Sequence, residues 1–182
     1  MHIEPTPLPG VLILESRVFA DDRGFFNEIF VASKFRNLGL PTEFIQDNCS
    51  RSVRHTLRGM HYQISSPQGK LVRASSGKIF DVAIDIRRHS PTFRQWFGTN
   101  LEAGDGRQLW IPPMFAHGFL VLSDWADVSY KCTTEYLHPA DRSLAWDDPD
   151  IGIAWPLHVG VTPLVSEKDL VAPRLASAEL FG

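Results

Sequence analysis

Lys78-Ile79-Phe80-Asp81-Val82-Ala83-Ile84-Asp85-Ile86 is the stretch that decides the fold class. Its side chains alternate with a period of two, which is the period of a β-strand. Phe80, Val82, Ile84 and Ile86 form one wholly apolar face, and Ile79, Asp81, Ala83 and Asp85 form the other. A carboxylate aimed into a closed β-structure is costly unless paired, so the second face, Asp85 above all, is expected to meet water. Outward from this segment the same signal recurs in Val11–Phe19, Phe25–Phe30, Phe44–Cys49, Leu71–Ala74, Arg107–Ile111, Phe119–Leu122 and Val128–Thr133. Turn residues separate the runs: Asp21-Asp22-Arg23-Gly24, Ser65-Ser66-Pro67, Ser75-Ser76-Gly77, Ala103-Gly104-Asp105-Gly106 and Ser123-Asp124. Many short strands with regular turns predict an all-β sandwich or barrel. Helix is slight. Ala32–Leu38 fits one short helix, and Ser166-Glu167-Lys168-Asp169 fits a second, capped by Ser166.

The length of 182 residues suits a single domain, 1–182, in which 155–182, poorer in strand signal, forms a loop-and-helix appendage. Lys+Arg is 18 and Asp+Glu is 21, a net charge of −3, which argues against a nucleic-acid partner. No apolar run reaches the ~18–20 residues of a membrane span, so no membrane role is expected. Met1–Gly10 has three prolines and no basic-plus-apolar signal pattern. Two cysteines, Cys49 and Cys132, are too few for a disulfide framework or a four-thiolate zinc site. The expectation is a cytoplasmic protein.

Candidate chemistry gathers in four places. Gln46-Asp47-Asn48 and Leu57-Arg58-Gly59-Met60-His61-Tyr62-Gln63 are the densest polar stretch. Histidine titrates near neutrality and is the natural base there. In a regular strand Arg58 and His61 face opposite ways, and Gly59 is where a bulge could re-aim one of them. An arginine and a histidine beside Gln46 and Asn48 suit an anionic, polyhydroxylated ligand. Lys70 opens the apolar run Leu71-Val72; it is either an exposed strand end or an ammonium that stabilises charge on an oxygen. His117, within Phe115-Ala116-His117-Gly118-Phe119, needs a partner if buried, and Asp81 is the candidate. Tyr130 shares a face with Val128 and Cys132; it is a core tyrosine or a proton donor.

The chain has no Gly-x-Gly-x-x-Gly, no Gly-x4-Gly-Lys-[Ser/Thr] and no Gly-x-Ser-x-Gly, so no dinucleotide, triphosphate or hydrolase apparatus is readable. Small barrels that bind a catalytic metal commonly use a His-x-His pair. Here His61 is followed two residues on by Gln63, a poor ligand for a transition metal, and no metal is expected.

Taken together, these segments resemble one family, the dTDP-4-dehydrorhamnose 3,5-epimerases. The likeness runs from about Phe19 to Asp169. It is carried by Asp22-Arg23-Gly24-Phe25-Phe26, Gln46-Asp47-Asn48-Cys49-Ser50, Leu57–Gln63, Gln68-Gly69-Lys70-Leu71-Val72-Arg73, Phe80–Asp85, Gln108–Pro112, Phe115–Phe119, Tyr130-Lys131-Cys132-Thr133 and Ser166–Asp169. The resemblance implies a cupin-like jelly-roll homodimer with a few short peripheral helices and no cofactor. It implies a nucleotide-sugar substrate, with His61 as the base beside the C4 ketone, Asp169 as its partner, Lys70 at the C4 oxygen and Tyr130 as the proton donor on the opposite face. Arg23, Glu28, Gln46, Asn48, Arg58, His117, Asp141 and Lys168 match positions that hold the substrate. Arg23 and Glu28 belong to a strand that crosses to the partner subunit, so the N-terminal strands contribute to the dimer interface.

The chemistry fits these roles. A C–H beside a ketone is far less acidic than imidazolium, so the enolate has to be stabilised as it forms. Inversion needs proton acceptor and donor on opposite faces of the sugar. Two departures stand out: Glu135 occupies the first of two positions where the family usually has adjacent tyrosines, and Asp141 stands where it usually has Glu. The expected reaction inverts C3 and C5 of dTDP-4-keto-6-deoxy-D-glucose. An enzyme inverting only one of those carbons, a metal-dependent cupin and a non-catalytic sugar-binding cupin are the rivals.

Overall fold

In the computed structural model, which describes residues 1–182, the alternating runs form thirteen strands around two short helices. The strands are β1 (His2–Pro5), β2 (Leu12–Glu15), β3 (Val18–Asp21), β4 (Gly24–Asn27), β5 (Gln46–Val53), β6 (Leu57–Gln63) and β7 (Lys70–Ser76), continuing with β8 (Lys78–Asp85), β9 (Trp96–Glu102), β10 (Arg107–Ile111), β11 (Phe115–Val121), β12 (Trp125–Cys132) and β13 (Asp141–Ser143). The helices are α1 (Ala32–Asn37) and α2 (Glu167–Leu170). One sheet has six strands in the order β1-β2-β10-β7-β12-β5, and a second has five, β13-β6-β11-β8-β9. A separate hairpin pairs β3 with β4. Every strand pair is antiparallel. This is the expected cupin-like jelly roll.

The main core lies between the sheets and includes Val72, Ala74, Ile79, Ala83, Leu109, Phe115, Phe119 and Val128. Two further clusters cover the outer faces. Val82, Ile84 and Ile86 pack against Ile151, Leu175, Ala178 and Phe181, so the C-terminal segment covers the back of the second sheet. Phe35 of α1 joins Leu14, Leu71 and Trp110 behind the first. With both sheets covered, β8 is buried on both of its faces.

That corrects the expectation for Asp85. Its carboxylate is buried, not solvated. It accepts from Arg87 Nη2 at 2.7 Å, Ser90 Oγ at 2.5 Å and Thr92 Oγ1 at 2.6 Å. Burial pushes its carboxyl up, but these donors outweigh it and hold the group at about 2. The run Val11–Phe19, expected as one strand, splits into β2 and β3. The break falls at Ser16, whose N–H turns to the Gly106 carbonyl at 2.9 Å. Strands β1 and β13, of four and three residues, are too short to be found by pattern alone, and the apolar pattern of β9 is interrupted by Gly98 and Asn100.

Candidate active site

Register places the chemistry. Along the first sheet, Lys70, Cys132 and Gln46 are opposite one another on β7, β12 and β5, and Val72, Tyr130 and Asn48 form the adjacent row. Directly opposed residues share a face, so Lys70, Tyr130, Gln46 and Asn48 all stand on the inner side of this sheet. In the second sheet His61 of β6 is opposite His117 of β11. The next pairing is Arg58 with Phe119, so β6 advances three residues while β11 advances two. This is a β-bulge at the position anticipated from Gly59. Gly59 has φ +132°, and a Cβ there would lie 2.6 Å from Gly118 Cα. Neither glycine leaves room for a side chain, and the close approach lets β6 turn His61 inward.

The mouth between the sheets is a cavity of about 370 Å³ lined by Gln46, Asn48, His61, Lys70, Tyr130, Asp141 and Lys168, together with Tyr62, Gln63, Gln68 and Tyr136. His61 Nε2 lies 2.6 Å from Asp169 Oδ1. Asp169 is only 2% exposed, on α2, whose Ser166 cap accepts the Asp169 N–H at 3.2 Å. Burial pushes the Asp169 carboxyl up. The His61 bond and charge, the Gly59 N–H and Ser166 oppose it and leave the carboxyl below its usual range. Nε2 being engaged, Nδ1 is the His61 nitrogen left for a ligand.

Lys70 makes no hydrogen bond or ion pair. Burial lowers its ammonium below the ordinary lysine range, with the charges of Asp81 and Asp141 among the groups opposing that fall. A cation held this way gains most from a negative oxygen brought to it. The Tyr130 phenol is raised, first by burial, so it keeps its proton.

The expected residues do not all meet in the cavity. His117 lies behind it, buried, with Nε2 2.8 Å from Asp81 Oδ1, the partner anticipated for it. Arg58 lies outside this lining but reaches across to the first sheet, where its Nε donates to Ser52 Oγ at 2.9 Å and its charge opposes the rise of the Tyr130 phenol. Arg23 lies on the β3–β4 hairpin, bonded to Asp21, and Glu28 pairs with Lys34; neither reaches the cavity of its own chain. Asp141 and Lys168 form an ion pair at its rim, joined by the Tyr136 hydroxyl, which donates to Asp141 Oδ2 at 3.0 Å.

Sequence reasoning missed three glutamine amides that hold the turn 134–137. Gln68 Nε2 donates to the Thr134 carbonyl at 2.8 Å, and Gln63 Nε2 to the Glu135 carbonyl at 3.3 Å. Gln63 Oε1 accepts the Leu137 N–H, and Gln46 Oε1 the Tyr136 N–H, each at 2.6 Å. Gln63, at the second position of a His-x-His pair, thus spends its amide on backbone. The signal was present as three glutamines flanking His61 and Lys70, but their common target lies between 66 and 90 residues away. The held turn leaves Glu135 exposed and outside the cavity lining, while Tyr136 faces in.

The chain is also similar to known proteins. A sequence model of the dTDP-4-dehydrorhamnose 3,5-epimerases matches residues 5–177. The chain is 51% identical over 175 residues to the dTDP-4-dehydrorhamnose 3,5-epimerase of Pseudomonas aeruginosa, covering 96% of each chain. The fold superposes with a TM-score of 0.93, at 45% identity, on the dTDP-6-deoxy-D-glucose-3,5-epimerase of Legionella pneumophila solved with dTDP-4-keto-L-rhamnose, covering 98% of this chain and 94% of that one. A 3′-monoepimerase from Streptomyces bikiniensis, solved with dTDP-quinovose, gives a TM-score of 0.89 at 34% identity, covering 97% and 88%.

Proposed function

The chain belongs to the dTDP-4-dehydrorhamnose 3,5-epimerase family, and we propose that His61, Asp169, Lys70 and Tyr130 carry out its epimerisation. The protein is an isomerase that inverts C3 and C5 of dTDP-4-keto-6-deoxy-D-glucose to give dTDP-4-keto-L-rhamnose. One observation carries the residue assignment: a carboxylate-backed imidazole, an unpaired ammonium and an unpaired phenol line a single cavity.

His61 Nδ1 removes the proton from the carbon next to the C4 ketone. Asp169 holds the other ring nitrogen and stabilises the imidazolium that forms, as carboxylates do in other His–carboxylate pairs. The electron pair moves onto the ketone oxygen, where Lys70 meets it. Tyr130, on the facing sheet, returns a proton to the opposite side of the ring. Glu135 lies outside the cavity lining and has no part in these steps. Gln46, Asn48, Asp141 and Lys168 hold the nucleotide sugar at the rim.

We further propose that a second copy completes the site. The β3–β4 hairpin presents Phe19, Phe25 and Phe26 at 50%, 57% and 69% exposure and carries Arg23 away from its own cavity. Contiguous exposed aromatics of this kind mark an interaction surface. The hairpin would bring Arg23 and Glu28 to the partner's substrate, with Arg58 beside the mouth and the His117–Asp81 pair behind it. No helix is long and apolar enough to cross a membrane, and the two free cysteines fit the reducing cytoplasm.

Incubating the keto-sugar in D2O tests the reaction. Deuterium at both C3 and C5, and none with His61→Ala, is the expected result. Label at one carbon only would reduce the activity to mono-epimerisation, and wild-type exchange in His61→Ala would remove His61 as the base. Sedimentation of Phe26→Asp tests the assembly: a monomer that no longer exchanges is expected, and an unchanged assembly state with full exchange would exclude the hairpin from the interface.

A further inference from the structure

Three side chains join the held turn to the middle of the first sheet. The Tyr136 backbone N–H donates to Gln46 Oε1 at 2.6 Å, Gln46 Nε2 to Asn48 Oδ1 at 2.9 Å, and Asn48 Nδ2 to Cys132 Sγ at 3.6 Å. The orientation of a side-chain amide is ordinarily an assignment from its neighbours. Here one end of the chain is unambiguous, because a backbone N–H can only donate. Gln46 must therefore offer its oxygen to Tyr136 and its NH2 to Asn48. Asn48 must then offer its NH2 toward Cys132. Each amide has its oxygen occupied and one N–H left over, and both residues line the cavity.

From this one-way order we infer that Cys132 is a positioning residue, whose sulfur takes one N–H of the Asn48 amide and so fixes the direction in which the other N–H, beside that of Gln46, is presented to the substrate. The inference rests on the proposal that these two amides hold the nucleotide sugar. A wall of donors suits oxygens that accept without donating, such as those of a diphosphate or a ketone, and it adds no negative charge beside them. Cys132 is fully buried and stands opposite both Gln46 and Lys70 in the sheet. Burial, the largest influence on its thiol, raises it, so the group stays neutral and serves as a weak acceptor without becoming a counter-ion to Lys70. Without an acceptor at 132, the Asn48 NH2 has no partner on that side. The amide is then held only through the Gln46 N–H on its oxygen, and the N–H it aims at the substrate loses its fixed direction.

Two isosteric pairs separate this role from packing. Cys132→Val and Cys132→Thr have the same shape and differ in one acceptor oxygen; Cys132→Ala and Cys132→Ser repeat the contrast at smaller volume, should a branched side chain fail to fold. Steady-state exchange of the keto-sugar and calorimetric binding of dTDP are measured for each. The expected result is KM, and Kd for dTDP, raised about fivefold in Val and Ala, the loss typical of one hydrogen bond, with kcat within twofold. Thr and Ser should return to wild-type values. Packing alone predicts no difference within a pair, and equal KM values within both pairs would overturn the inference. A wild-type protein that neither binds dTDP nor exchanges would instead overturn the reading of the site on which it rests.

Discussion

Replacing Asp169 by asparagine tests the proposed base while leaving the shape of the site unchanged. Asp169 Oδ1 lies 2.6 Å from His61 Nε2, and Oδ2 accepts the Gly59 N–H at 3.4 Å. Asparagine has one oxygen for these two places. If the oxygen stays with the Gly59 N–H, the amide NH2 faces Nε2 and claims its lone pair. The imidazole must then carry its proton on Nδ1, the nitrogen that faces the cavity, and a protonated Nδ1 cannot accept a proton from carbon. The counter-charge for the imidazolium is lost as well. A wrong tautomer in a comparable His–carboxylate pair lowers turnover by about 10⁴-fold, so a loss of about 10³–10⁴-fold in exchange at both C3 and C5, or about 4–5.5 kcal/mol of barrier, is expected. Stability should fall by only about 1–2 kcal/mol, because the amide still satisfies its buried neighbours. Deuterium uptake by NMR measures the first quantity, urea unfolding the second, and binding of dTDP should remain within a few-fold of wild type. A variant that keeps more than a tenth of wild-type exchange at either carbon refutes the reasoning, since Nδ1 would then not need the carboxylate.

The remaining tests address other parts of the same structure. Lys70→Met should lower exchange by about 10²–10³-fold, the cost typical of removing one oxyanion donor, while dTDP still binds; an effect confined to KM would assign Lys70 to binding alone. Asp85 has its carboxyl lowered from 3.8 to about 2 in the folded protein, so its contribution is present above pH 4 and is lost as pH falls from 4 toward 2. That contribution is about 2 kcal/mol, and urea midpoints for wild type and Asp85→Asn should converge across this window. Gly118→Ala puts a Cβ 2.8 Å from the Arg58 carbonyl and 2.6 Å from Met60 Sδ; it should destabilise by about 1–3 kcal/mol and depress exchange by pushing β6 outward, which thermal melts and exchange rates together would reveal.

Much of this molecule is legible in local chemistry. The period of two in Lys78–Ile86, the turn residues between runs and the Ser166 cap are properties of neighbouring residues, and the corresponding elements form. His61, Lys70 and Tyr130 could be singled out because imidazole, ammonium and phenol are the groups such proton chemistry uses, and their ordered segments match a family. Asp85 was misjudged because one face of a strand was read without the segments that cover it. Its partners Ser90 and Thr92 lie in the loop just beyond, and only the bend of that loop brings their hydroxyls to the carboxylate.

Pairing across the chain belongs to the tertiary structure. His61 and Asp169 are 108 residues apart and meet because α2 packs against β6. A bulge at Gly59 turns His61 inward, and its position is set by how close Gly118 of the neighbouring strand can approach. The same register sets Arg58 opposite Phe119, from where it reaches Ser52 of the first sheet, and leaves His117 behind the cavity with Asp81. It also orders the amides of Gln46 and Asn48 from a backbone N–H at the far side of the mouth. Side-chain identity determines which groups can ionise, donate or accept. Which of them face one another depends on strand register and bulges, and these are settled by contacts between residues far apart in the chain.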